Sequence, residues 1–320
     1  MVTREEVVHA YRFFFGRDPE SERVIERWLP VEDWLSLRDV FLESSEFHAK
    51  FAARLETLIS PDDVLAEPNH VEIDISDGQY RTLIEHVQGA WEALGAEKPH
   101  WSVLTDPRFL PDKIEANLGG FYESGAQSWE LVERAAARAG TYPLREGTAF
   151  ELGCGVGRVT AQLAKRFRRV LAADVSRLHL DIAQAYLESA GIKNVTLSRL
   201  ERLECLMTME AFDFFYSVIV LQHNPPPLIR RMLEIIFGRL RRGGVAYFQV
   251  PVASTRYQFS IEQYLRQIAA GDPVMEMHVF PQKDLFRVMH EGGLRILDLQ
   301  RDNMTGPGFQ SITIFAEKTG

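Results

Sequence analysis

The residues with the clearest chemical use in this sequence are one acidic side chain and three glycines that follow it at alternate positions. Glu151 lies in an apolar run, residues 148–152, and Gly153, Gly155 and Gly157 come directly after that run. Glycine tolerates positive φ angles and lets a ligand lie directly against the backbone. The helical pattern that follows would present free N–H groups to polar or anionic ligand atoms. The stretch therefore predicts a strand, a ligand-binding turn and a helix.

The spacing of these glycines separates two classes of cofactor. A dinucleotide fold uses G-x-G-x-x-G, which counted from Gly153 would need a glycine where Arg158 stands. The next apolar run, residues 169–174, ends in Asp174. An acid about 20 residues after the glycines, at the carboxyl end of a strand, can bind the hydroxyls of a ribose. Asp174 and Ser176 are also good N-cap residues, and the two roles can coexist.

Together, the acid and the glycines give the pattern E-x-G-x-G-x-G, which resembles the first motif of class I S-adenosylmethionine (SAM) methyltransferases. Residues 212–251 contain FDFFYS, LQHNPP, LRRGG and FQVP, which resemble further motifs of that family. The resemblance covers about residues 78–318 and is to a bacterial subgroup often found in polysaccharide-biosynthesis gene clusters. It implies a methyltransferase that uses SAM, with an α/β, Rossmann-like, seven-stranded sheet and a helical cap.

In that family the glycine loop runs under the methionine part of SAM, and the acidic residue helps to hold the loop and the ligand. Tyr122 belongs to residues 121–125, which resemble an F-Y-x-S-G element that closes over bound SAM; the alternative is that its aromatic rings only pack the cap. At the adenine site an acidic residue followed by an apolar one is commoner than the Leu200-Glu201 found here. The residues expected to bind the cofactor are Glu151, Gly153, Cys154, Gly155, Gly157, Asp174, Val175, Leu200, Glu201, Gln222 and Tyr122.

Methyl transfer to a hydroxyl requires a group that removes its proton, ideally one that titrates near neutral pH. His223 directly follows the fourth predicted strand and is the first candidate; alternatively, residues 222–224 form a polar helix cap or a cofactor contact. His278 follows an insertion, residues 257–270, that is a candidate substrate lid. The catalytic candidates are His223, His278 and Tyr122, followed by Glu276 and Asp302.

Composition and charge argue against several other classes of protein. The chain has 320 residues, of which 46% are hydrophobic, and a formal net charge of -9. Binding to nucleic acid or to an anionic membrane needs clustered Lys and Arg, so neither partner is expected. The two cysteines form no C-x-x-C pair, so we expect no zinc site and no structural disulfide. No apolar run approaches about 18 residues and no signal peptide is evident, which predicts a cytoplasmic protein without membrane insertion.

The chain divides by pattern into a helical domain (1–60), a linker rich in Pro and Asp (61–77) and a methyltransferase domain (78–320). Within the last, residues 78–140 are predicted to form the helical cap and residues 146–320 the α/β core, in which strands and helices alternate. YRFFFGRDP at 11–19 and FLESSEF at 41–47 resemble a small helical bacterial domain of unknown function. That domain is a candidate surface for a protein partner.

Three hypotheses about function follow. The first is a methyltransferase acting on a small-molecule hydroxyl; the expectation of a sugar or glycan intermediate comes from the resemblance alone. The second keeps the fold and the cofactor but makes the acceptor an amine metabolite. The third is a scaffold protein with a degenerate SAM fold, against which the intact set of Glu151, three glycines and Asp174 argues.

Overall fold

The computed structural model describes residues 2–47, 70–141, 146–254, 257–271, 274–306 and 308–320. The chain divides into two compact units. The small unit comprises Met1–Ala66 with Gly306–Gly308, and the large unit comprises Glu67–Thr305 with Phe309–Gly320. Most of the predicted linker lies outside the described residues, and the predicted domain limits stay predictions.

The small unit is helical around one aromatic core. Its helices are α1 (Arg4–Ala10), continued by a π-helical turn (Tyr11–Phe15), α2 (Glu22–Trp28) and α3 (Trp34–Glu43). Phe41 is 1% exposed and contacts four other aromatic rings of this unit. The sequence pattern predicts a third helix from near Leu37, but α3 begins at Trp34, because the Asp33 side chain caps it by accepting from the Ser36 amide.

The sequence at 44–47 predicts an N-cap before a last helix of this unit. Ser44 accepts a hydrogen bond from the Phe47 amide at 3.1 Å and residues 45–47 are helical, while the remainder of that helix lies outside the described residues. Arg17 forms a bidentate ion pair with Glu46. Arg17 and Asp18 follow the break in the first helical pattern and are predicted to fix a turn, and the Arg17 guanidinium also donates to the Asp18 carbonyl at 3.1 Å.

The large unit is built on a seven-stranded sheet. The strands are β1 (Thr148–Leu152), β2 (Arg169–Asp174), β3 (Val195–Arg199), β4 (Phe212–Ser217), β5 (Leu240–Ser254), β6 (Leu294–Asp302) and β7 (Phe309–Lys318). Their order is β3-β2-β1-β4-β5-β7-β6, with parallel pairing from β3 to β5 and antiparallel pairing of β7 to both neighbours. The predicted seven-stranded α/β fold is confirmed.

Helices cover both faces of this sheet. They are α4 (Asp77–Glu97), α5 (Pro99–Val103), α6 (Ile114–Glu123), α7 (Gly125–Ala139), α8 (Thr160–Ala164), α9 (Arg177–Ser189), α10 (Glu204–Met207), α11 (Pro226–Arg239), α12 (Ile261–Ala270) and α13 (Gln282–Glu291). Alternate residues of a strand point to opposite faces. Phe215 accordingly packs with the side chains of α4 and α11, whereas its neighbours Phe214 and Tyr216 pack with Trp129 of α7. Among the described residues no helix is both long and apolar enough to span a membrane.

Three element limits differ from those that the sequence pattern predicts. The apolar run 212–221 predicts a single strand, but β4 ends at Ser217 because Ile219 has a φ of 60° and leaves the extended conformation. The helical pattern over 113–139 predicts one helix, but this segment is divided at Ser124, whose hydroxyl donates to the Phe121 carbonyl. Gly243 or Gly244 is predicted to cap α11, but this helix ends before Leu240, because Leu240 pairs with Phe212 at the start of β5.

Candidate functional site

A cavity of about 510 Å³ lies at the carboxyl ends of β1, β2 and β4. The strand order reverses between β1 and β4, and ligands of open α/β sheets bind outside the carboxyl ends at such a point. Helices α4, α5 and α7 contribute the facing wall through side chains that include Trp91, Val103 and Ser128. These helices precede β1 in the chain, so the segment predicted as a cap does line the cavity.

The glycine turn (residues 153–157) forms the floor of this cavity. Gly153 and Gly155 have φ angles of 74° and 51°, in the left-handed region that side chains disfavour. A Cβ atom on Gly153 would lie 2.3 Å from a methyl carbon of Val220. Val220, on the other side of the cavity entrance, therefore leaves no room for a side chain at this position. The Gly153 amide donates to the Ala173 carbonyl at 2.8 Å, which fastens the turn to β2.

Glu151 is buried at the end of β1 and lines the cavity. Burial raises the pKa of its carboxyl to about 7, although the hydrogen bond from the Thr160 hydroxyl, at 2.6 Å, and the charge of Arg158 lower it. Asp174 acts in the same direction as burial. Within the described structure the Thr160 hydroxyl is the one hydrogen-bond donor to this carboxylate. Its remaining acceptor positions are available to a ligand in the cavity that Glu151 lines.

Asp174 ends β2 and holds two backbone amides. Its Oδ2 accepts from the Gly155 amide at 2.8 Å and its Oδ1 accepts from the Ser176 amide at 2.9 Å. A carboxylate has about four lone-pair positions, so about two are left for hydroxyl groups of a ligand. Ser176 caps α9 by accepting from the His179 amide. The predicted cap at Ser176 is confirmed, and the geometry of Asp174 leaves room for the ribose role.

A series of hydrogen bonds between polar groups holds residues 219–223, which follow β4 and lie opposite the glycine turn. The amide of Ile219 donates to Gln249 Oε1 at 2.9 Å, and Gln249 Nε2 donates to Gln222 Oε1 at 3.1 Å. Gln222 Nε2 then donates to His223 Nε2 at 3.2 Å, and His223 Nδ1 donates to the Glu276 carbonyl at 2.7 Å. A β-branched residue with positive φ is strained and persists where its surroundings hold it. This series of hydrogen bonds therefore stabilises the strained backbone conformation of Ile219.

His223 itself is not among the residues that line the cavity, although Asn224 and Trp91 beside it are. Its ring contacts the Trp91 ring with centroids 5.3 Å apart, and both of its nitrogens are engaged in this series of hydrogen bonds. Burial lowers its pKa to about 4. His223 is consequently a neutral, hydrogen-bonded imidazole at neutral pH.

His278 belongs to a second, partly buried group, the Glu276 cluster, formed by Glu276 and the four side chains His86, Tyr257, Tyr264 and His278. Glu276 accepts from His86 Nε2 at 3.2 Å, from the Tyr264 hydroxyl at 2.5 Å and from His278 Nε2 at 2.7 Å. Tyr257 is 2.8 Å from His278 Nδ1. Burial alone would raise the pKa of Glu276, but the hydrogen bonds from His278 and Tyr264 outweigh it and lower the pKa to about 2.

The remaining catalytic candidates also lie away from the cavity. Tyr122 stacks on Tyr186 with an interplanar angle of 9°, and burial raises its pKa. Asp302 accepts from the Thr313 hydroxyl and the Met304 amide. The predicted residues that line the cavity are Glu151, Gly153, Cys154, Gly155, Asp174, Val175 and Leu200. Those that do not are Gly157, Glu201, Gln222, Tyr122, His223 and His278.

Several charged side chains that the sequence did not predict line the cavity, among them Glu130, Arg134 and Arg158. Arg158 lines the cavity, and its Nη1 donates to the hydroxyls of Ser124 and Ser128 at 3.3 and 3.0 Å. Both serines flank or begin α7, which is distant in sequence. The sequence does place Arg158 directly after the third glycine of the ligand-binding turn, which could have suggested that it contacts the ligand. That position was used only to exclude the dinucleotide motif.

Comparison with known proteins identifies the type of domain. Residues 149–244 match the model of a family described as a methyltransferase domain. The structure of magnesium protoporphyrin IX methyltransferase from Synechocystis PCC 6803 with bound SAH superposes with a TM-score of 0.51 at 15% identity, covering 74% of this chain and 99% of that one. The large unit has the class I SAM methyltransferase fold.

Two curated relatives are similar over shorter stretches. Trans-aconitate 2-methyltransferase of Deinococcus radiodurans is 39% identical over 103 residues, or 32% of this chain and 36% of that protein. Ubiquinone biosynthesis O-methyltransferase of Methylobacterium sp. is 26% identical over 165 residues, or 50% of this chain and 64% of that protein. The chain thus spans less than two thirds of either relative. The predicted enzyme class agrees with the family match and with both curated relatives, and the predicted cofactor, SAM, agrees with the SAH bound in the Synechocystis structure.

Proposed function

We propose that this protein is a SAM-dependent methyltransferase that acts on a small molecule. The observation that carries the proposal is the cavity at the point of strand reversal, where Glu151, the glycine turn and Asp174 meet. The match of residues 149–244 to a methyltransferase domain supports it, because that segment contains all of these residues.

The residues of the cavity fit SAM. Asp174 has about two free acceptor positions for ribose hydroxyls, and Leu200 and Val175 give an apolar wall suited to the adenine ring. Glu151 presents a buried carboxylate to the cationic part of the ligand. When bound, SAM supplies a methyl group on a sulfonium, and the protein's main task is to align the acceptor in line with it.

We place the acceptor beside Tyr216, Tyr247 and Met304, which line the part of the cavity at the ends of β4 and beyond β6. A hydroxyl acceptor, for which a sugar is the specific hypothesis, fits the polar side chains there, and one relative is itself named as an O-methyltransferase. The expectation that the N-terminal helical unit binds a protein partner stays a separate prediction.

A second candidate is transfer to an amine. The observation that favours it is the position of His223, His278 and Tyr122, none of which lines the cavity. A neutral amine attacks without prior loss of a proton, so it needs no strong base at the site. Turnover of the His223→Ala variant separates the two: a large loss would restore His223 as the base for a hydroxyl, and near-normal turnover would favour the amine.

Calorimetric titration of the purified protein with SAM, S-adenosylhomocysteine and NAD tests the proposal. We expect the first two to bind and NAD not to bind. The Asp174→Ala variant should lose most of its affinity for both nucleosides, while Asp181→Ala, an exposed acid on α9 that pairs with Arg177, should bind normally. Binding of NAD alone, or of none of the three, would contradict the proposed function.

A further inference from the structure

Arg158 is a half-buried cation, and within the described residues no side chain balances its charge through an ion pair. Its guanidinium donates only to the hydroxyls of Ser124 and Ser128, and its Nε is buried without a hydrogen-bond partner. Burial lowers its pKa. An arginine nevertheless stays protonated in proteins, so the positive charge remains. Buried charges are usually paired, because an uncompensated one is costly.

The acidic residues near Arg158 do not remove this imbalance. Glu151 is close enough to act on Arg158 through its charge, yet the two form no ion pair within the described residues, and the pKa of Glu151 is about 7. Glu151 is therefore only partly ionised at neutral pH. Asp174 already accepts from two amides of the glycine turn and α9.

The geometry points to an anionic ligand group at this end of the cavity. We propose that Arg158, with Ser124 and Ser128, binds a carboxylate of a ligand in the cavity, an inference that rests on the proposed function. A guanidinium matches the two oxygens of a carboxylate with its fork of donors. Serine hydroxyls add donors that can turn toward the same oxygens. All three residues line one continuous cavity, so a ligand that lies on the glycine turn reaches them.

Two ligands can supply this carboxylate. SAM carries one on its methionine part, and an acidic acceptor would carry one beside the group that is methylated. The test therefore has two arms, each with the full-length wild type, Arg158→Gln and Arg158→Lys. The matched control is Arg168→Gln, which makes the same change on an exposed arginine outside the cavity. Thermal unfolding of each variant establishes that it is folded.

The first arm compares SAM with decarboxylated SAM, which lacks only the carboxylate. If the cofactor is the source, the wild type should prefer SAM, and Arg158→Gln should lower the affinity for SAM about 10- to 100-fold while leaving decarboxylated SAM unchanged. Arg158→Lys should retain part of the preference. Arg168→Gln should behave as the wild type does.

The second arm titrates succinate into protein saturated with S-adenosylhomocysteine. If the acceptor is the source, SAM affinity should be the same in all variants, and succinate should bind to the wild type and Arg158→Lys but not to Arg158→Gln. If the Arg158→Gln variant is folded and unchanged in both arms, the carboxylate site is refuted while the proposed function stands. A wild type that binds neither SAM nor S-adenosylhomocysteine would refute the proposed function and this inference with it.

Discussion

Glu151, which is buried, and Glu276, which is half-buried, are two carboxylates of the same unit whose pKa values move in opposite directions. Burial raises the pKa of Glu151 to about 7, and one hydroxyl, that of Thr160, donates to it. Glu276 receives hydrogen bonds from His86, Tyr264 and His278, and these lower its pKa to about 2 in spite of its burial. The number of donors around each carboxylate thus decides the sign of the shift.

The two carboxylates differ in how much of their hydrogen-bonding capacity is left for a ligand. A carboxylate surrounded by its own donors, such as Glu276, joins three segments of the fold and needs no further partner. Glu151 lines the cavity with most of its acceptor capacity unused, beside a second acid, Asp174. Such a site favours a cation, and SAM is cationic. We infer that the Glu276 cluster stabilises the fold and that Glu151 serves the ligand.

The largest expected effect is on stability, at the Glu276 cluster. Glu276→Ala would leave His86, Tyr264 and His278 without their shared acceptor in a mostly buried place. We expect the free energy of unfolding to fall by about 3–5 kcal/mol. The affinity for SAM should change by less than about twofold, since none of these side chains lines the cavity. Urea unfolding and calorimetry measure the two quantities.

Glu262→Ala is the matched control for this prediction, because Glu262 is an exposed acid on α12 that pairs with Arg266. Its effect on unfolding should stay within about 0.5 kcal/mol. A Glu276→Ala variant of normal stability with weakened SAM binding would contradict the division between the two carboxylates.

The next effect concerns the pH dependence of stability. The pKa of Glu151 is higher in the folded protein, about 7, than its ordinary value of 4.5 in the unfolded chain. Its contribution to the free energy of unfolding is therefore fully present below pH 4.5 and is lost as the pH rises toward about 7. The pKa of Glu276 is lower in the folded protein, about 2, than its ordinary value of 4.5. Its contribution to the free energy of unfolding is therefore present above pH 4.5 and is lost as the pH falls toward about 2. At about 1.4 kcal/mol per pH unit, each contributes about 3 kcal/mol at most.

Unfolding curves of the wild type, Glu151→Gln and Glu276→Gln between pH 3 and pH 8 check this prediction. Relative to the wild type, Glu151→Gln should lose less stability between about pH 4.5 and pH 7, and Glu276→Gln should lose less below about pH 4.5. Parallel curves for all three proteins would show that neither carboxylate has the shift described.

The floor of the site was predictable from sequence because it is local. The glycine turn follows β1 directly, and Asp174, Val175 and Leu200 follow β2 and β3. The carboxyl ends of these parallel strands necessarily meet at one edge of the sheet. Pattern and spacing therefore predicted this part of the site, and Gly153, Gly155, Asp174, Val175 and Leu200 do line the cavity, whereas Gly157 does not.

The rest of the site depends on contacts between distant segments. Ser128 meets Arg158 only because α7 packs beside the glycine turn, which no local pattern reveals. His223 was expected at the cavity because it follows β4, but the positive φ of Ile219 turns the chain there. The imidazole instead donates to the carbonyl of Glu276, 53 residues later in the chain. Side-chain direction after an irregular turn could not be derived from spacing.

A smaller effect than the pH dependence should separate the two carboxylates by ligand affinity. Glu151→Gln keeps the size of the side chain but removes the charge that faces the cationic ligand. We expect the affinity for SAM to fall about 10-fold at pH 8, where the wild-type carboxyl is mostly ionised. Glu276→Gln should bind SAM as the wild type does. Equal affinities for SAM in all three proteins would remove Glu151 from the site.

The smallest expected effect is a proton released on binding. At pH 7 the carboxyl of Glu151 is about half protonated, and a bound cation stabilises the ionised form. Binding of SAM should therefore release up to about half a proton near pH 7 and almost none at pH 9. Calorimetry in phosphate and in Tris, which differ in ionisation enthalpy, measures this number. Glu151→Gln should abolish the release and Glu276→Gln should retain it, because the Glu276 carboxyl is fully ionised at pH 7 before any ligand binds.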